Sequence, residues 1–174
     1  MALFSQPSPL GAKADPLSDS SHRSPRVILR KTLVKLTSID WTSPVATRMG
    51  FAQGELILEI GRDDDVDSAL RDSIESLTGS ALIDSTTDEA VDGVLLWWRD
   101  GDGDLVDELM DAMTYLTDAG HIWLMTPKAG RSLHVEPSDI QDSAPIAGLT
   151  QTGTLNAAHD WNGTRLVARK ASKR

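Results

Sequence analysis

Three short apolar runs constrain this chain more than any other feature: LILEIG (56–61), VDGVLLWW (91–98) and HIWLMTP (121–127). Each is too short for a buried helix and rich in Leu, Ile, Val or Trp, so each reads as a strand. A run that is apolar on both faces suits the centre of a parallel sheet, and VDGVLLWW is the strongest of the three. Helical periodicity falls between them. The spacing of Val66, Ala69, Leu70, Ile74 and Leu77 predicts a helix over 65–77 with one buried face, ended by Gly79. Over 103–120, Leu105, Leu109, Ala112, Met113 and Leu116 predict a second helix, with Gly120 as its C-cap. SALIDS (80–85) reads as a further short strand, Asp88–Glu89 as a brief helix or loop, and 138–149 as a helix started by Ser138. Residues 150–169 alternate as an antiparallel pair around Ala-His-Asp-Trp-Asn-Gly. The predicted fold class is α/β: a mostly parallel sheet flanked by helices, with an antiparallel C-terminal hairpin.

In such sheets ligands sit beyond the carboxyl ends of the strands. That rule gathers Gly61–Asp65, Asp84–Thr87, Trp97–Asp102 and Thr126–Arg131 around one cleft. The segments ahead of the first strand are less regular. Residues 1–24 are rich in Ser, Pro and small residues and are expected to be a disordered tail; 25–170 form a single domain and 171–174 a basic tail. Residues 25–40 fit either a short amphipathic helix or an edge strand. Residues 43–55 carry an N-cap signal at Ser43, Pro44 at the first helical position and Gly50 as a stop.

Composition narrows the function classes. At 40% apolar and 25% charged, the 174 residues suit one globular domain with a full core. With no cysteine, disulfides, thiolate zinc sites and cysteine nucleophiles are excluded. No apolar run approaches a membrane span, and the N-terminus lacks the apolar core and cleavage site of a secretory signal, so a cytoplasmic location is expected. Charge is uneven: residues 49–164 hold five Lys/Arg against 23 Asp/Glu, net −18, while 1–48 carry net +4 and 165–174 net +5. Such a body repels a nucleic-acid backbone, leaving only the basic residues 23–35 and 165–174 for that kind of contact.

The order of elements resembles the class I methyltransferase Rossmann-like fold over roughly residues 40–170, with RMGFAQGELILEIG as the lead-in and first strand. On GRDDDVDSALRDSIE, VDGVLLWWRDGDGDLVDELMDAM, IWLMTPKAGRSLHVEPSDI and DWNGTRLVARK the chain is similar to an actinobacterial family recorded only as a domain of unknown function. The methyltransferase resemblance implies S-adenosylmethionine as cofactor, small residues after Gly61 to let backbone amides approach it, and an acid near Asp84 on its ribose. The chain departs from that pattern: Arg62, Asp63, Asp64 and Asp65 follow Gly61, where carboxylates would cap a helix instead. Arg62 is the residue placed to hold the cofactor's methionine carboxylate.

The candidate ligand-binding residues are therefore Gly61, Arg62, Asp63, Asp84, Trp97, Arg99, Lys128 and Arg131. His134 and Glu136, two apart on the loop after the fourth predicted strand, are the candidates for acid–base work; a loop salt bridge is the plain alternative. Asp100, Asp102 and Asp104 alternate as in a calcium loop, but Leu105 stands where the turn glycine belongs, and an acidic turn with an N-cap competes. Trp97 and Trp98 should face opposite sides of one strand, one in the core and one at the cleft rim, with Trp123 in the core and Trp161 in the terminal turn. Together these features lead to a noncatalytic regulatory or protein-interaction protein on a degenerate methyltransferase-like fold. The alternatives are an S-adenosylmethionine- or nucleotide-binding enzyme using the cleft, and a nucleic-acid accessory acting through basic termini.

Overall fold

The structure, a computed structural model, describes residues 45–169. Expectations for 1–44 and 170–174, including the two tails, the Ser43 cap and most of the basic residues at the termini, lie outside them. In chain order the elements are α1 (Val45–Met49), β1 (Ile57–Ile60), α2 (Ser68–Thr78), β2 (Val91–Trp97), α3 (Leu105–Thr114), β3 (Leu116–Pro127), α4 (Pro137–Ile146), β4 (Leu149–Asn156) and β5 (Trp161–Ala168). They build one five-stranded sheet in the order β1-β2-β3-β5-β4. β1, β2 and β3 run parallel; β5 lies antiparallel to both β3 and β4. The predicted parallel sheet with an antiparallel C-terminal hairpin is what forms. No helix of the described residues is long and apolar enough to cross a membrane.

Alternation along the strands sorts the core into two layers. Leu58, Val94, Leu96, Ile122, Leu124 and Leu166 pack on one face against Leu105, Leu109 and Ala112 of α3 and Ile140 and Ala144 of α4. Ile57, Leu95, Trp97, Trp123, Met125 and Trp161 pack on the other face against Ala46 and Met49 of α1 and Leu70 and Ile74 of α2. Each Leu or Ile so buried contributes about 1.5–3 kcal/mol relative to exposure, which is why the apolar runs determine the order of layers.

Several element limits differ from the sequence expectation. SALIDS does not form a strand: Ile83 alone bridges Leu58, accepting from Glu59 N at 2.7 Å and donating to Ile57 O at 2.9 Å. The 88–89 segment is loop. Helix α2 begins at Ser68, because the Asp67 carboxylate caps it by accepting from Leu70 N at 2.7 Å. Its buried side includes Thr78 while Ala69 faces solvent. Helix α3 stops at Tyr115, and Leu116 already starts β3, so Gly120 is a strand residue and not a C-cap. The register jumps from Val91↔Leu116 to Gly93↔His121, which takes Thr117–Gly120 out of the pairing. In α4 the cap is Glu136, with Pro137 at the first helical position, and Ser138 lies inside the helix.

Two buried polar groups are held on the α1–α2 face. Glu59, in the middle of the LILEIG run, accepts from Arg71 Nε at 2.6 Å and Nη2 at 2.9 Å and from the Trp97 indole at 3.0 Å. That arrangement satisfies the carboxylate with two charge-assisted bonds and a neutral one, and it locks α2 to β1 and β2. His121, 5% exposed, stacks on Phe51 at 5.3 Å, and its Nε2 has no partner among the described residues. Burial, reinforced by Arg165 and opposed by Asp92, pushes its pKa down to about 4 from 6.5.

Two outcomes follow from these groups. Glu59→Ala strands the Arg71 guanidinium and is expected to lower the unfolding free energy by about 3 kcal/mol in urea titrations, with Glu59→Gln costing less. A Glu59→Ala protein as stable as the native one would show that the pair is not holding α2. For His121, the unfolded state takes up a proton near pH 6.5 that the folded state refuses until about pH 4. Its stabilising share is therefore complete above pH 6.5 and is lost as the pH falls towards 4, by about 3 kcal/mol. His121→Leu should remove that part of the acid slope, measured as the pH dependence of the stability difference between the two proteins.

Candidate functional site

Strand β1 ends at Gly61, in the left-handed region with φ 71°. A Cβ here would collide with the Trp97 carbonyl oxygen at the end of β2. Only glycine fits where the two strand ends come this close. The chain then turns through Arg62–Asp65 into α2. Asp63 uses its carboxylate locally, accepting from Asp64 N at 2.7 Å.

Arg99, two residues past β2, lies across this turn. Its Nη1 donates to Gly61 O at 3.0 Å, its Nε donates to Asp65 Oδ2 at 2.9 Å, and its Nη2 pairs with Asp65 Oδ1. Its backbone amide donates to Asp102 Oδ2 at 2.9 Å. The guanidinium sits 5.2 Å from the Trp161 ring centroid, in cation–π range. Trp161 in turn donates its indole N–H to Asp65 O at 3.2 Å and meets Trp97 edge-on at 4.8 Å. Hydrogen bonding to Arg99, against a smaller effect of burial, holds the Asp65 carboxyl below the usual carboxylate range; the same bond raises Arg99. A bidentate Arg–carboxylate pair of this kind is charged and geometrically fixed.

What stays open at the strand ends is a shallow cleft of about 310 Å³, lined by Gly61, Arg62, Asp63, Trp98, Arg99, Asp102 and Glu108 among others. Burial, together with Asp111 and Asp102, raises the Glu108 pKa. The lining is therefore acidic, with Arg62 as its exposed cation and Arg99 already committed to Asp65.

The predicted site residues divide among four places. Gly61, Arg62, Asp63 and Arg99 do meet in this cleft, and Trp97 contributes there while its ring is buried against Glu59. Asp84 does not join them: it is exposed in its own turn, where its carboxylate accepts from Thr86 N at 3.0 Å and from the Thr86 hydroxyl, which lowers its pKa. Lys128 and Arg131 turn instead to the β4–β5 connection. Lys128 Nζ donates to His159 O at 2.9 Å and Arg131 pairs with Asp160. His134 donates through Nδ1 to Pro127 O at 2.7 Å, and its Nε2 lies 3.8 Å from Glu136. His134, but not Glu136, lines a separate cavity beneath α4. The expectation of one cleft is corrected, because the Pro127–Glu136 loop is drawn towards the hairpin and away from Gly61.

At the acidic turn the N-cap expected there is present. Asp104 caps α3, accepting from Val106 N at 2.8 Å, and Asp102 serves Arg99, so these carboxylates have separate tasks. Among the described residues no three His, Asp or Glu side chains gather as a metal site. Trp97, Trp98, Trp123 and Trp161 are all buried; Trp97 and Trp98 face opposite layers as expected, and Trp98 lines the cleft while only 6% exposed. Two residues central to the strand end escaped the sequence reading, Glu59 and Arg71. Their signal was present: a carboxylate inside an apolar run requires a cation, and Arg71 stands one helical turn into α2.

Comparison with known proteins places this geometry. Solved structures with a similar trace include a TehB-like SAM-dependent methyltransferase from Corynebacterium glutamicum, 12% identical, with TM-score 0.45, covering 82% of this chain and 97% of that one. Another is the mitomycin 7-O-methyltransferase, 13% identical, with TM-score 0.49, covering 85% and 59%. At these scores the likeness carries nothing about function. Relatives in sequence are uncharacterized proteins of Mycobacterium tuberculosis and Mycobacterium bovis, each 46% identical over 136 residues, spanning 78% of this chain and 85% of the relative. Residues 46–170 match the family described as protein of unknown function, DUF3052. The match takes in the whole sheet, the turn at Gly61 and the Arg99–Asp65 pair, and the chain belongs to that family.

Proposed function

We propose that this protein is a noncatalytic regulatory or interaction protein, and that its acidic strand-end surface receives a basic segment of a protein partner. One observation carries the reading. The guanidinium of Arg99 lies across the ends of β1 and β2, bonded to Gly61 O and Asp65, where a ligand of such a sheet would otherwise approach. S-adenosylmethionine, the cofactor implied by the fold resemblance, fits these residues poorly. The space left by the missing Gly61 side chain is taken by the Trp97 carbonyl, the Asp63 carboxylate serves its own turn, and Asp84 stands apart. No reaction step is assigned to this cleft.

Charge supports the choice of partner. Asp63, Asp64, Asp100 and Asp107 are exposed around the cleft mouth, on a body of net −18 over residues 49–164. Such a surface accelerates encounter with a basic segment and rejects acidic ones.

The expected outcome has two arms. Calorimetry and thermal shift with S-adenosylmethionine, S-adenosylhomocysteine and magnesium nucleotides should give no saturable response. Saturable stabilisation by any of them that disappears in Asp84→Ala or Arg99→Ala would overturn the reading. In the second arm, partners that co-purify without cross-linking on the full chain from its native cell should be lost at about 0.5 M salt, where exposed charges are screened. They should also be lost in the Asp63→Lys, Asp100→Lys variant. Partners retained under both conditions would mean that another surface binds them.

A further inference from the structure

We propose that the cavity between α4 and the C-terminal hairpin is a binding site for a small uncharged polyhydroxylated molecule, of the sugar or polyol class. The cavity holds about 290 Å³ and lies on the α3–α4 face of the sheet, away from the Gly61 turn. Its floor comes from a change in the strands. Moving towards the end of β3, the inward residues pass from Ile122 and Leu124 to Thr126, and along β5 from Leu166 to Thr164 and Asn162. On β4, Thr154 opposes Thr164 and Asn156 opposes Asn162, so the polar floor extends to the edge strand.

Thr126 and Thr164 are the decisive members. They are 3% and 5% exposed, they line the cavity, and neither hydroxyl has a hydrogen-bond partner among the described residues. Both hydroxyls open onto the cavity and bond to no protein group among the described residues, so each is free to donate to and accept from a molecule lodged there.

The lining also specifies the class of occupant. It holds no Lys or Arg, and its one ionisable side chain, His134, gives its Nδ1 proton to Pro127 O. An anion would find no lysine or arginine here. Hydroxyls and carboxamides both donate and accept, and the groups that match them along a floor are hydroxyls. The opposite wall is apolar, formed by Val135, Pro137 and Ile140, and suits the C–H face of a ring or polyol chain.

The test is a ¹H–¹⁵N chemical-shift titration of the full chain with D-glucose, D-ribose and myo-inositol in turn, and with inorganic phosphate as the charged comparison. Saturable shifts at the amides of Thr126, Val135 and Thr164 are expected with at least one of the three neutral probes. Affinity should fall about tenfold in the Thr126→Val, Thr164→Val protein, since two hydrogen bonds are lost while the branched shape is kept. Should that protein lose its dispersed spectrum, Gln141→Leu on the exposed helix side of the cavity provides the same comparison without touching the sheet. No saturable response to any neutral probe, an unchanged response in the folded variant, or phosphate competing for the same amides would each overturn the proposal.

Discussion

A carboxylate buried inside the first strand sets the terms for the rest of this structure. Glu59 stands where the sheet is otherwise apolar, so the fold has to bring it a cation and a second donor or lose several kcal/mol. Arg71 arrives from α2 and the Trp97 indole from β2. Meeting that demand fixes how far α2 slides along the sheet and which rotamer Trp97 adopts. Trp97 then meets Trp161 edge-on, and Trp161 in turn supports Arg99 and donates its indole N–H to Asp65 O. From one buried charge, a continuous chain of contacts ties β1, β2, β5 and α2 together at the end of the sheet where folds of this type ordinarily do their chemistry.

The second ion pair closes that chain. Arg99 is almost fully buried while Asp65 remains about half exposed, so their Coulomb attraction is partly screened and modest as a source of stability. Its value lies in geometry: three guanidinium nitrogens bond to the β1 turn, and the ring of Trp161 limits motion on the remaining side. A cofactor loop needs backbone amides that face outward. Here the turn directs its carbonyl and carboxylate inward to a cation from its own chain, and Gly61 is required by the closeness of two strands.

Much of the architecture could be read from the residues because burial imposes period. LILEIG, VDGVLLWW and HIWLMTP had no other way to bury both faces, and the alternation in 150–169 left only a hairpin. The reading failed where local pattern and tertiary demand diverge. TYLTDAG continues the spacing of α3, but Tyr115 O is needed by Val91 N, and the segment crosses into β3 instead. SALIDS has strand residues but bonds through Ile83 alone. At the site, sequence placed Gly61, Arg62, Asp63 and Arg99 together because they follow adjacent parallel strands. It could not place Lys128, Arg131 or His134, since the direction of the loop 128–136 depends on Asp160, distant in sequence, and on a main-chain carbonyl, that of Pro127.

The bridge at Ile83 has a consequence beyond the sheet order. β1 is an outer strand, apolar except for Glu59, and such an edge invites a second chain to add to it in register. Ile83 occupies the Glu59 amide and the Ile57 carbonyl, the two groups an incoming strand would engage first. The shortened remnant of a strand thus acts as a guard. It is too brief to extend the sheet and leaves no long edge of its own, while the opposite border, β4, is broken by an irregular register near Thr152 and carries Thr and Gln outward. The two borders of the sheet are thus closed to a further strand in different ways, one by a single residue pairing and the other by a kinked, polar strand.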